Sequence, residues 1–412
     1  MQRLLIIGYV WPEPASTAAG AHMMSLLNLF RSSGWDITFA SPAGHSEHMA
    51  DLAREGIHCA EIALNHSSFD AFISQLQPQA VLFDRFMMEE QFGWRVEKNC
   101  PDALRILDTE DLVCLRQARH DAFKKQGVVN PPPGPSLLFT ELAQREIASI
   151  LRCDLSLIIS EAEQRLLTDL FRVDPSLLHY YPLCYAPEAP GHRAPGFDER
   201  AGFVAIGNFR HAPNWDAVRW LKEAIWPRIR ALLPQAECRV YGAYTPPKAT
   251  ALHNPRQGLH IMGRADDAAA VLRAARVNLA PLRFGAGLKG KIAEAMACGT
   301  PSVTTSIGAE GMAGELPFAG AVSDQVEQLA RHAVTLHEDS ARWQQAQENG
   351  YRIVTERFCR RHHDQYLLER IQELQQNLAQ HRLDNFTGAM LRHHLHRSTQ
   401  YMSQWIEAKN RD

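Results

Sequence analysis

Short apolar runs alternate with amphipathic stretches through the first half of this chain. Residues 4–8, 36–41, 80–84, 103–108 and 155–160 read as buried strands, and the segments between them place apolar residues at helical spacing. Such alternation predicts βαβ units on a parallel sheet. Residues 184–200 break the pattern with three prolines and two glycines and no apolar periodicity, which predicts a linker. A second series follows, with strands expected at 202–207, 237–242, 259–263, 277–281 and 301–305, and a long helix at 214–233. Beyond residue 322 the spacing is helical almost to the end. The expected fold class is α/β, with a Rossmann-like lobe over 1–183, a linker over 184–200, a second such lobe over 201–358, and helices over 359–412 that pack on the first lobe or on another subunit. Ser160 and Glu163 are spaced as a capping box opening a helix. The proline run 131–135 predicts an exposed loop.

Composition narrows this picture modestly. At 412 residues the chain exceeds the size at which one core keeps growing, in keeping with two lobes. A net charge of -3 gives no global attraction for nucleic acid, which is excluded as an expected partner. Eight scattered cysteines without a CxxC pair fit reduced thiols, and the N-terminal apolar run is too short for a signal peptide or a membrane span. The expected location is cytoplasmic, either free or at the inner face of a membrane.

The segment Pro281–Thr305 carries the candidate chemistry. Phe284-Gly-Ala-Gly287 lets backbone approach a ligand closely, and a helix expected from Leu288 aims its free N–H groups at that loop. Lys289 and Lys291 place cations at a helix N-terminus, where they are locally unfavourable, so they point to an anion such as a diphosphate. Glu294, one turn further, is placed to accept hydrogen bonds from ribose hydroxyls.

Three segments together, 202–217, 259–266 and 284–312, resemble the C-terminal half of the retaining, nucleotide-sugar-dependent GT-B glycosyltransferases known as family 4 or group 1. The resemblance implies a GT-B fold of two doubly wound domains facing a cleft, with the donor on the second. It matches Glu294 to the ribose-binding second acid of the family's E-x7-E motif, Gly285, Ala286 and Gly287 with Leu288 to the phosphate-contacting segment, and Gly263 and Arg264 to the turn beneath the nucleobase. Gly207 and Asn208, in the first of these segments, are expected to bind the donor. The chain departs from the family at two places: Ala286 stands where the first acid is expected, and Asn208 and Asn214 where a basic pair is. Lys289 and Lys291, with Arg210, are expected to neutralise the leaving diphosphate instead.

In the first lobe, the small-residue loop 11–20 should face the cleft, with Ala19 and Gly20 on the acceptor side. Asp84 and Asp108 end strands and either cap the following helices or orient an acceptor hydroxyl; Asp108 is the better catalytic candidate, beside Lys289. His362-His363 and His393-His394 with His396 have no acidic or thiol partners at motif spacing, so no metal site and no cofactor are expected beyond the nucleoside diphosphate sugar as co-substrate. The resulting expectation is metal-independent hexosyl transfer, with retention, to a glycan, lipid-linked, protein or small-molecule hydroxyl in bacterial-type glycoconjugate synthesis. A nucleotide-sugar epimerase and a non-catalytic nucleotide-sugar-binding subunit stay open as alternatives, as do peripheral membrane association and self-association through the C-terminal helices.

Overall fold

The computed structural model describes residues 2–130, 132–185 and 194–410, apart from the side chains of Leu395 and His396. Two parallel sheets organise it. The first comprises β1 (Arg3–Ile7), β2 (Asp36–Ser41), β3 (His58–Glu61), β4 (Ala80–Asp84), β5 (Leu104–Asp108), β6 (Leu155–Ile158) and β7 (Leu178–Tyr180), in the order 3-2-1-4-5-6-7. The second comprises β8 (Phe203–Ile206), β9 (Cys238–Tyr241), β10 (Leu259–Gly263), β11 (Val277–Ala280), β12 (Ser302–Thr304) and β13 (Gly320–Val322), in the order 10-9-8-11-12-13. Each reverses direction beside its first strand, and open sheets of this kind take ligands at the carboxyl ends of the strands flanking that reversal.

The central strands, such as β1, β4, β5 and β6, are largely apolar because helices cover both faces. Leu5, Ile7, Val81 and Phe83 point to one core of the first lobe, while Leu4, Ile6, Leu82 and Leu104 point to the other. Three strands escaped the sequence pattern. β3 is an exposed edge, and β7 and β13 have only three residues each, too few to show a period.

Two local expectations yield to tertiary structure. Helix 214–233 is observed as Ala212–Trp220 and Trp226–Leu232 joined by a π-turn over Leu221–Ile225. Pro227 has no N–H to give an α-helical bond there, and the wider turn absorbs the defect. The capping box does not form: Ser160 makes no capping bond, and the Glu163 carboxylate is used elsewhere. Pro135 opens a short helix, Pro135–Leu138, while Pro131 and residues 186–193 of the expected linker lie outside the described residues.

The chain then returns to the first lobe. The helix Arg360–Asp384 buries Leu367, Ile371 and Leu374 in that lobe's core, and Arg382 pairs with the buried Asp154 carboxylate at 2.8 Å. The last helix, Phe386–Lys409, lies on the helices Phe86–Asn99 and Glu141–Arg152. Direct contacts also join the lobes across the cleft. Arg119 of the first lobe holds Glu310 through two bonds of 2.7 and 2.8 Å and donates to the Gly285 carbonyl at 2.9 Å. Tyr244 of the second donates to Glu13 of the first at 2.7 Å.

Candidate functional site

A cavity of about 1010 Å³ lies between the lobes, where the β1 and β4 ends face the β8 and β11 ends. On the second-lobe side, β8 stops at Gly207, and a side chain there would meet Asn214 Nδ2 and Lys291 Nζ at 2.8 Å. Only glycine lets those groups converge. Asn214 Nδ2 donates to the Asn208 carbonyl at 2.9 Å, and its Oδ1 accepts from Lys291 Nζ at 2.6 Å. After β11 the chain runs through Gly285 and Gly287, both at positive φ, into the helix Gly290–Ala297, for which Lys289 is the N-cap. The helix therefore starts two residues later than the spacing suggests.

Both lysines reach the cavity, in unequal surroundings. Lys289 Nζ donates to the Gly287 carbonyl at 2.6 Å; burial pushes its ammonium below the ordinary value, with Glu310 opposing. Lys291 is brought down to about 7 by burial and then by the neighbouring Lys289 charge. A second cation beside the first, with an amide as its hydrogen-bond partner, is a site that an anion would stabilise. Glu294 faces the same cavity, and burial followed by Asp267 raises its carboxyl above the usual range.

The expected residues divide as follows. Gly207, Asn208, Arg210, Arg264, Gly285, Ala286, Leu288, Lys289, Lys291 and Glu294 line the cavity, as do Ala19, Gly20 and Asp84 from the first lobe. Gly263, Gly287 and Asp108 do not. Gly287 is a correction to the expected phosphate loop: its N–H donates to Glu163 Oε1 of the first lobe at 2.7 Å and is unavailable to a phosphate. Glu163 also accepts from the Leu112 N–H at 3.2 Å. The same carboxylate that should have closed a capping box thus ties the lobes together. Asp108 is likewise not in reach of a ligand, being fully buried behind His22.

His22, Arg85 and Glu110 line the cavity and were not singled out in the sequence. Nothing in the periodicity of the helix Ala18–Ser32 marks His22; the fold alone brings its Nε2 to 3.6 Å from Asp108 Oδ1. Burial would lower the imidazole, but Asp108, then Glu110 and Asp84, outweigh it and raise His22 to about 9. Burial, then Asp108, lifts Glu110 to about 8. Asp84 accepts from the Tyr9 N–H at 3.0 Å and so does not cap the next helix. That helix starts after Arg85, held at φ 70°; Glu110 and Tyr244 also line the cavity at φ 55° and 56°. Backbone strain of this kind collects where a site must be held in shape. Both His22 ring nitrogens, Asp84 Oδ1 and Glu110 Oε1 make no hydrogen bond within the described protein. Unsatisfied buried polar atoms cost about 1–3 kcal/mol each, so a ligand bearing hydroxyls would find partners here. Among the described residues no three His, Cys, Asp or Glu side chains assemble as a metal site.

Comparison with known proteins fits this geometry. Residues 200–339 match the family model described as glycosyl transferases group 1. The second lobe is a group 1 glycosyltransferase domain. No curated protein matches the chain in sequence. Among solved structures, a sucrose-phosphate synthase from Thermosynechococcus elongatus is 15% identical with a TM-score of 0.65, covering 91% of this chain and 99% of that one. HepE from Anabaena, solved in complex with UDP, is 13% identical with a TM-score of 0.66, covering 91% and 100%. WaaG, described as a glycosyltransferase involved in lipopolysaccharide biosynthesis, is 12% identical with a TM-score of 0.58, covering 86% and 95%. The whole chain therefore has the GT-B fold, as the resemblance implied. Among the described residues no helix is long and apolar enough to cross a membrane.

Proposed function

We propose that the chain transfers a sugar from a nucleoside diphosphate sugar to a hydroxyl acceptor, with retention of configuration, in glycoconjugate synthesis. The observation that carries this reading is the lysine pair at the cavity: Lys289 and Lys291 stand side by side at a helix start, with Lys291 brought down to about 7. A diphosphate between them restores both charges, and stabilises more as the glycosidic bond breaks and negative charge gathers on the leaving group. Glu294 holds the ribose and Arg264 lies against the base. Ala286 is buried against the first lobe's core, so the donor sugar meets no acid from that position.

The first-lobe cluster supplies the acceptor side. His22, raised to about 9, already carries its proton near neutral pH and cannot serve as the free base that direct inversion needs. It is suited to donate a hydrogen bond to an acceptor oxygen while Asp108 keeps it charged. In this reading the departing phosphate, on the same face as the acceptor, takes up its proton, and the configuration is retained.

The test is a donor screen by thermal shift, starting with UDP-sugars because HepE is described in complex with UDP-glucose, followed by transfer assays and NMR of the product anomer. A stabilising donor whose sugar is transferred with its anomeric configuration kept supports the proposal. Inversion refutes the retaining part. Nucleotide binding without turnover against any acceptor pool favours a non-catalytic binding subunit, and a changed sugar without acceptor favours an epimerase.

A further inference from the structure

The C-terminal helix Phe386–Lys409 wears its sides in reverse. Residues 386, 390, 394, 397, 401 and 405 follow at steps of three and four and so share one face, which is the outward one: Phe386 is 69% exposed, Tyr401 64% and Trp405 59%, with Met390 and Arg397 also exposed. The inward face is anchored by polar groups. Arg392 lies 3.5 Å from Glu97, and Ser403 Oγ accepts from the buried Arg95 at 3.0 Å. A helix of a water-soluble surface normally buries its aromatics and exposes its charges. This one is held to the first lobe by hydrogen bonds and leaves its apolar side chains without cover.

Charge selects the occupant. The outward face carries Arg397, His393 and His394, and Lys409 sits 5.2 Å from the Trp405 ring centroid. Glu407, the helix's one carboxylate, is turned to Ser67 Oγ at 2.5 Å. A second copy of the helix packed face to face would bring the two Arg397 guanidinium groups towards each other. An anionic lipid surface meets both demands, because Trp and Tyr prefer the interfacial zone and each basic group near such a surface adds about 1 kcal/mol.

We propose that this face docks the first lobe on an anionic bilayer. The proposal is independent of the donor and of the transfer chemistry. The test uses the full chain in vesicle pelleting, with phosphatidylcholine alone and with added phosphatidylglycerol, at low and raised salt. Two variants accompany it: Phe386→Ser/Tyr401→Ser/Trp405→Ser, and Arg397→Glu, which removes no apolar contact and keeps the test valid if the triple variant misfolds. Pelleting only with phosphatidylglycerol, falling with salt and about tenfold or more weaker in Arg397→Glu, supports the inference. Absence of binding to the anionic vesicles, or equal binding of wild type and Arg397→Glu, overturns it. A dimer by light scattering that the triple variant turns into monomer, without vesicle binding, also overturns it in favour of a second copy.

Discussion

Raising the pH should weaken nucleoside diphosphate binding through Lys291. Its folded value, about 7, lies below the ordinary lysine value of 10.5 because of burial and the adjacent Lys289. In the free protein the ammonium is therefore about half populated at pH 7 and about 1% populated at pH 9. A bound diphosphate restores the charge, so binding takes up about half a proton at pH 7 and close to one by about pH 9. The dissociation constant should rise ~50-fold from about pH 7 to about pH 9, worth ~2.3 kcal/mol. A terminal phosphate, with its second pKa near ~6, has already lost that proton and adds little to the slope. Calorimetry in buffers of different ionisation enthalpy counts the proton directly, and Lys291→Met should flatten the profile even though burial raises both Glu110 and Glu163 to about 8. In the unliganded protein the sign is opposite: the unfolded chain holds the Lys291 proton up to a higher pH, so this group makes stability rise between about 7 and 10.5. A flat binding profile in the wild type, or an unchanged slope in Lys291→Met, would refute the reasoning.

Four other outcomes can be measured. Lys289→Ala should raise the donor dissociation constant or lower turnover by at least about tenfold, ~1.4 kcal/mol, in steady-state kinetics. His22→Asn should leave donor binding within about twofold while cutting transfer about tenfold or more, since its place is on the acceptor side; equal losses in both would reject that placement. Glu163→Ala strands the Gly287 and Leu112 N–H groups and should cost about 1–3 kcal/mol in denaturant unfolding, whereas Glu163→Gln keeps an acceptor and should cost less. Asp154→Asn should cost about 3–5 kcal/mol by leaving Arg105, 3.6 Å from this carboxylate, and Arg382 without their buried partner. Burial opposes but those two arginines lower the Asp154 pKa, so its contribution is full above the ordinary carboxylate value of 3.8 and is lost as the pH falls through its lower folded value.

The sequence by itself determined the paired parallel sheets and the donor-side loop. Buried strands such as β1 and β4 carry unbroken apolar runs, Leu4 to Ile7 and Ala80 to Phe83, and the glycines and lysines of 284–291 lie close together in the chain, so local spacing records their geometry. What local spacing does not record is contact between distant segments. Glu163 has the spacing of a capping residue, yet its carboxylate bonds to Gly287, 124 residues away, because a buried N–H in a tight loop needs an acceptor and the adjoining helix start can be left uncapped. His22 looks like any polar position on a helix until β5 sets Asp108 behind it. The exposed aromatics of the last helix are equally silent in sequence, since helical period gives a face but not its direction. Only the tertiary structure, by spending the polar side of that helix on Arg95 and Glu97, decided that the aromatic side turns outward.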